Sequence, residues 1–154
     1  EKLSSEYVLH PLMTAVSTLT VNNGSDTYTF DIGTKETATT NEDGEESTTT
    51  TTSVMYGDSE INSSYFSTFF QNLTLLKKSD TSSDKPSGKA VFTAEYKYTD
   101  GSTDTVKFYD ADGNKYLAEV NGISVGHLYK TNPSKLIEQV KTVANNKEVS
   151  DFAI

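Results

Sequence analysis

Apolar side chains recur along this chain in two rhythms, every second residue in some stretches and every three to four in others. The first predicts β-strands and the second amphipathic helices. Thr18 to Val21 is the first expected strand, and Asn22-Asn23-Gly24-Ser25 a turn, because Asn and Gly tolerate positive φ. From Thr27 to Ile32, Tyr28, Phe30 and Ile32 share one face and Thr27, Thr29 and Asp31 the other. Residues 33–50 are rich in Thr and Glu and almost free of apolar side chains. They read as a flexible, solvated loop or a long hairpin tip. The Thr run from Ser47 to Ser53 favours extended backbone and leads into Val54, Met55 and Tyr56 as an exposed strand.

Asn62 or Ser63 then caps a helix expected to reach about Lys78. Its buried stripe would be Tyr65, Phe66, Phe69, Phe70, Leu73 and Leu76, with Lys77 and Lys78 at the negative end of its dipole. Residues 81–88 are a polar linker. Four strands follow: Val91 to Tyr98, Thr105 to Tyr109, Tyr116 to Val120 and Ile123 to Tyr129. Asn121-Gly122 is the strongest hairpin signal. The last helix is expected to use Asn132 as cap and Pro133 as its first residue, burying Leu136, Ile137, Val140, Val143 and Ala144. Residues 1–15 form a leader in which Met13 and its neighbours make a helical turn or run into a strand. Residues 148–154 form a tail whose Val149, Phe152 and Ile154 dock.

The order strands-then-helix occurs twice, over 16–80 and 89–147. Asn23-Gly24-Ser25-Asp26-Thr27-Tyr28-Thr29-Phe30 echoes Asp100-Gly101-Ser102-Thr103-Asp104-Thr105-Val106-Lys107-Phe108. The expected fold is therefore α+β, in two similar halves. Each is an antiparallel β-meander followed by an amphipathic helix packed on the sheet, because each alone would expose one sheet face and one helix stripe.

The 154 residues suit one domain, or two small halves sharing a core. The net charge of −9 disfavours nucleic acid and anionic lipid as partners. No cysteine is present, which removes disulfides, thiolate zinc sites and cysteine nucleophiles. No apolar run approaches the ~20 residues of a membrane span. Glu1 has no initiator Met before it, so a targeting or anchoring segment is expected to have been removed.

Catalytic chemistry is thinly represented. The two histidines, His10 and His127, stand outside any nucleophile or metal motif, and His127 is expected as a half-buried strand residue. Ser87-Gly88-Lys89-Ala90 lacks the upstream Gly and following Ser/Thr of a phosphate loop. Asp110, Asp112 and Asn114 open like a calcium loop, but the Gly comes too early and position twelve is Asn121 rather than Glu. A hairpin turn fits better, with weak calcium binding by Asp100, Asp104, Asp110 and Asp112 as the alternative. Glu42, Asp43, Glu45 and Glu46 read as a solvated tip. Tyr96, Tyr98, Tyr109, Tyr116 and Tyr129 lie on adjacent strands. Any that face away from the helices would offer an aromatic platform for a glycan or peptide, unless they pack across strands. No catalytic residue, metal or cofactor is expected.

Several runs together resemble the domain-of-unknown-function family 4340. They are Tyr28-Thr29-Phe30-Asp31-Ile32, the Thr-rich stretch, Val54-Met55-Tyr56-Gly57-Asp58-Ser59-Glu60-Ile61, and the helix with Phe66, Phe69, Phe70 and Leu73. Tyr98-Thr99-Asp100-Gly101, Val106-Lys107-Phe108-Tyr109, Tyr116-Leu117-Ala118-Glu119-Val120-Asn121-Gly122 and Leu136-Ile137-Glu138-Gln139-Val140 complete the set. The resemblance covers roughly residues 7–150. It implies an extracytoplasmic, cell-surface protein of bacterial origin, held to the membrane by an N-terminal anchor. It further implies an accessory or protein-interaction role beside an ABC-type transport complex, and carries over no active-site residue.

Overall fold

The alternating stretches become eight antiparallel strands, and the two apolar stripes become two helices, in a computed structural model that describes residues 7–152. The strands are β1 (Val16–Asn22), β2 (Thr27–Thr40), β3 (Glu46–Tyr56), β4 (Ser59–Ile61), β5 (Phe92–Tyr98), β6 (Thr103–Asp110), β7 (Lys115–Val120) and β8 (Ile123–Tyr129). Helix α1 (Ser63–Thr74) follows β4 and α2 (Thr131–Ala144) follows β8. All eight strands join one sheet in the order β4-β3-β2-β1-β5-β6-β7-β8. The fold is α+β, with both helices on one face.

The core forms where the apolar sheet face meets the helix stripes. Phe30, Leu19, Val54, Phe92, Ala94, Tyr96 and Phe108 of the sheet are buried against Phe66, Phe69, Phe70, Leu136, Val140 and Val143. The Phe30 ring lies 5.1 Å from Phe66, and Phe70 meets Tyr96 edge-on at 6.0 Å. Such offset aromatic contacts suit ring quadrupoles and fill volume with few residues. The helices run antiparallel. The Asn62 N–H at the start of α1 donates to Asn146 Oδ1 (2.7 Å), and further along Asn72 donates to Gln139 of α2 (2.9 Å). Val149 is buried and Phe152 packs on the core; the expected docking of Ile154 lies outside the described residues, as does most of the leader's first half.

Several expectations need correction. Most of residues 33–50, expected as a flexible loop or a long hairpin tip, lie in β2 and β3, which pair from Phe30↔Tyr56 to Thr40↔Glu46; the hairpin alternative holds, and the exposed strand expected from Ser47 to Tyr56 is present as β3. Asn41 closes the tip: its Oδ1 accepts from Asp43 N and Glu45 N at 3.0 and 2.8 Å. Threonine's extended preference and a well-made turn hold this hairpin without any buried face. Strand β4 has no counterpart in the sequence pattern. It returns from β3 through Gly57-Asp58, where Gly57 takes φ +62°. Helix α1 stops at Thr74 rather than near Lys78, because Lys77 bridges to Tyr7 and Val8 N donates to Leu76 O (3.1 Å). Asn62 does cap α1, but Asn132 does not cap α2: the helix starts at Thr131, and Lys130 precedes it with no side-chain cap.

The chain after α1 runs alongside the outer edge of β8. Ser79 N–H donates to His127 O (2.7 Å), Ser82 N–H to Val125 O (3.4 Å), and Ser124 Oγ–H to Asp84 O. Gly126 is required there, since a Cβ would collide with the Asp80 carbonyl.

Candidate functional site

Three features of the surface hold chemistry or spare bonding capacity: a histidine clasp, a hydroxyl-lined cleft and a bare strand edge.

The clasp forms where the strap of residues 79–87 meets β8. His127 Nδ1 lies 3.0 Å from Asp80 Oδ1, and Nε2 lies 3.5 Å from Asp84 Oδ2. Asp80 Oδ1 also accepts the His127 backbone N–H (3.0 Å), and its Oδ2 faces Lys115 Nζ at 3.4 Å. The side-chain hydrogen bond with His127, then the backbone one, hold the Asp80 carboxyl below the usual carboxylate range. An open cleft of about 890 Å³ adjoins this cluster, with Leu117, Pro86 and Asp112 among its lining. A catalytic histidine needs one nitrogen free for the reacting group. Here Nδ1 is hydrogen-bonded to Asp80 while Nε2 faces the exposed Asp84 carboxylate at 3.5 Å, and the Asp80 bonds fasten the strap to β8. Neither Asp80 nor Asp84 stands out in the sequence, because the segment that carries them has no periodicity.

The aspartates considered for calcium are dispersed. Asp104 and Asp110 fall at opposite ends of β6, roughly 20 Å apart at ~3.3 Å per residue. Asp110 is paired with Lys130 (2.6 Å), Asp100 accepts from Ser102, and Asp104 accepts from Tyr98 and Asn121. Among the described residues, no group of three or more His, Asp or Glu is placed to hold a metal ion.

The five tyrosines divide between the two faces of the sheet. Tyr96 and Tyr116 are buried on the helix side, and Tyr98 is half-buried there with its hydroxyl donating to Asp104 Oδ2 (2.8 Å). Burial, and then the Asp104 hydrogen bond, raise the Tyr98 pKa; burial does the same more strongly for Tyr96. Tyr109 and Tyr129 take the open face, through their pairing with Leu117 and Lys115. Tyr109 meets Glu119 at 3.4 Å, and Tyr129 is 54% exposed beneath Lys115 Nζ. The expected five-tyrosine platform is therefore not assembled; cross-strand and core packing claims three of its members. His10 stands apart, its ring 5.0 Å from Tyr7.

A second cleft, of about 770 Å³, opens beside the N-terminal half of α1. Ser63, Ser64 and Ser67 of the helix line it together with Thr34 and Thr52 of the hairpin base, and Met13 and Ile32 also contribute to it. No charged residue lines it among those described.

The third feature is the outer part of the β2–β3 hairpin. Beyond Ile32 and Val54 it leaves the sheet as a two-stranded ribbon, exposed on both faces. β4 covers β3 only from Val54 to Tyr56, so residues 46–53 keep one edge unpaired among the described residues. The Asn41 N–H donates to Glu45 O (2.9 Å), so the odd-numbered residues of β3 bond to β2 and the even-numbered ones turn N–H and C=O outward. Thr48, Thr50 and Thr52 thus carry the spare hydrogen-bonding groups. The sequence shows the run of threonines but not that one edge of it is left open.

No protein-family model, curated protein or solved structure matches this chain.

Proposed function

We propose that this chain is a non-catalytic interaction domain that recruits a protein partner by strand addition to the open edge of β3. The observation that carries the reading is the contrast between its strand edges. Folded proteins cover edges or interrupt them with charge or proline, because a bare edge pairs with other chains. The outer edge of β8 is covered by residues 79–84, and the free part of β2 carries Lys35 and Glu36. From Ser47 to Ser53, β3 has neither a cover among the described residues, nor a charge, nor a proline. An edge left bare in this way fits a docking strand, whose backbone supplies affinity.

The setting follows the resemblance to family 4340: an extracytoplasmic accessory of an ABC-type transport complex, tethered to the membrane in the full-length protein. The acidic surface suits that location. No helix among the described residues is long and apolar enough to cross a membrane. We further read residues 16–80 and 89–147 as related halves. Four strands precede a helix in each, a two-residue turn (Gly57-Asp58 or Asn121-Gly122) precedes the fourth strand, and β1 meets β5 at the centre. Site-specific photo-crosslinking from β3 of the full-length protein in its native membrane tests the function. Adducts to a membrane-complex component from positions 48, 50 and 52, lost on ribbon truncation, are expected. Recovery of only unlinked, lipid-free monomer refutes the reading.

A further inference from the structure

We infer that the strand added to this edge comes from a second copy of the chain, paired with the first across a two-fold axis at Thr50. This inference rests on the interaction-domain reading and names its partner. The open run is Ser47-Thr48-Thr49-Thr50-Thr51-Thr52-Ser53, which reads the same in both directions. In an antiparallel pair centred on Thr50, Ser47 faces Ser53, Thr48 faces Thr52, Thr49 faces Thr51, and Thr50 faces itself. A two-fold interface needs a self-complementary patch, and a palindromic strand edge is one.

The backbone geometry agrees. Thr50 is one of the outward-bonding residues, so at the axis each copy donates its Thr50 N–H to the Thr50 carbonyl of the other. Thr48 and Thr52 repeat the exchange on either side. The pairing ends at Ser47 and Ser53: β4 covers β3 from Val54, in the lane that Glu46 and the acidic tip of the second copy would otherwise enter, so each tip must bend out of the sheet plane past the other copy's β4. Seven residues span roughly 23 Å at ~3.3 Å each, and none of the seven is charged or apolar. Opposed threonines are favourable neighbours across strands.

Two properties follow. An interface of one seven-residue edge buries less than the roughly 1,200 Å² of a stable complex, so pairing is weak in dilute solution and grows where chains are concentrated, as on a surface. Each copy carries −9, so the copies repel at long range; association should strengthen as salt shortens the Debye length towards ~8 Å.

The absence of cysteine allows a direct test on the whole chain. Thr50→Cys places two Cα atoms about 5.5 Å apart across the axis, within disulfide span. Mild oxidation should give a covalent dimer from Thr50→Cys. Thr48→Cys alone should give none, because position 48 of one copy lies about 13 Å along the strand from position 48 of the other. An equimolar mixture of Thr48→Cys and Thr52→Cys should crosslink. Sedimentation equilibrium reads the same pairing without a bond. Thr50→Lys and Thr50→Glu should each lose association, and their mixture should regain it, with unchanged circular dichroism melts showing that the fold survives. The inference is overturned if Thr50→Cys crosslinks no faster than Thr48→Cys alone, or if the charge variants sediment like the parent. A purified chain that fails these tests while membrane crosslinks still map to β3 removes the homotypic partner and leaves the interaction domain standing. Failure of both removes both.

Discussion

Replacing Asn72 by alanine should destabilise the protein by about 3 kcal/mol and release its C-terminal tail. Asn72 is fully buried on α1 and makes three hydrogen bonds. Its Nδ2 donates to Gln139 Oε1 (2.9 Å) and Ser150 O (2.8 Å), and its Oδ1 accepts from Phe152 N–H (3.2 Å). A protein hydrogen bond contributes about 1 kcal/mol net, so three are worth about 3 kcal/mol. Two considerations bracket that figure. Ser150 O keeps a bond from Gln139 Nε2 (3.0 Å), which softens the loss. Gln139 Oε1 is left facing a new void, which adds to it. For a chain of this length each kcal/mol shifts Tm by about 2–4 °C, so the melt should fall by about 6–12 °C. Calorimetry checks the shift, and trypsin checks the mechanism, because a loosened tail is trimmed faster at Lys147. Asn145→Ala, on an exposed residue just past α2, is the control and should move Tm far less. A variant that melts within about 2 °C of the parent and keeps its tail would refute the view that Asn72 ties the helices and tail together.

Two pH predictions accompany it. Tyr96 and Tyr98 have pKa values raised in the folded protein, chiefly by burial. Their stabilising contribution is complete below the unfolded tyrosine value of ~10 and is lost as pH rises above it, because the unfolded chain ionises first. Absorbance at alkaline pH should show these two tyrosines ionising only with unfolding, and Tyr98→Phe should remove one of the delayed pair; early ionisation of all nine would contradict this. Asp80 has the opposite sign. Its folded pKa is depressed by the hydrogen bonds with His127, so its contribution is present above the unfolded value of ~3.9 and is lost as pH falls through the folded value. The urea midpoint gap between the parent and Asp80→Asn should be steady near neutrality and shrink below about pH 4. A gap that does not change with acid would show that the clasp adds nothing through ionisation.

Periodicity finds what burial creates. The α1 stripe is visible because Phe66, Phe69, Phe70 and Leu73 all face the core. Ile123–Tyr129 is visible because Asn121-Gly122 forces a tight turn, with Asn121 at φ 52° and Gly122 at φ 84°. The outer half of β2 is hidden for the converse reason, while the threonine run already marks Ser47 to Tyr56 as strand. With neither face buried, that half of β2 carries no apolar alternation, and a reading weighted to hydrophobicity takes it for a loop. Only the β-branching of threonine and the bonding capacity of Asn41 indicate strand. β4 is three residues long, shorter than any window in which a period can be seen. The end of α1 is not legible locally because Lys77 answers to Tyr7, a partner far upstream in the chain. The clasp escapes for a similar reason. His127 is visible, but Asp80 and Asp84 reach it only because an aperiodic strap is bonded along β8.

That strap also gives the bare edge of β3 its meaning. A sheet of eight strands has two outer edges, and both are hazards in principle. One is sealed by backbone bonds, an imidazole hydrogen-bonded to Asp80, and a glycine that lets the covering chain approach closely. The other has β4 over three residues and nothing over the next seven among those described. Valine there would make the edge sticky for any extended chain, and lysine would close it. Threonine does neither, since it keeps the backbone extended and accessible while offering water a hydroxyl at each position. An edge built this way can pair reversibly with a matching strand, and a palindromic run of threonines is matched by its own copy.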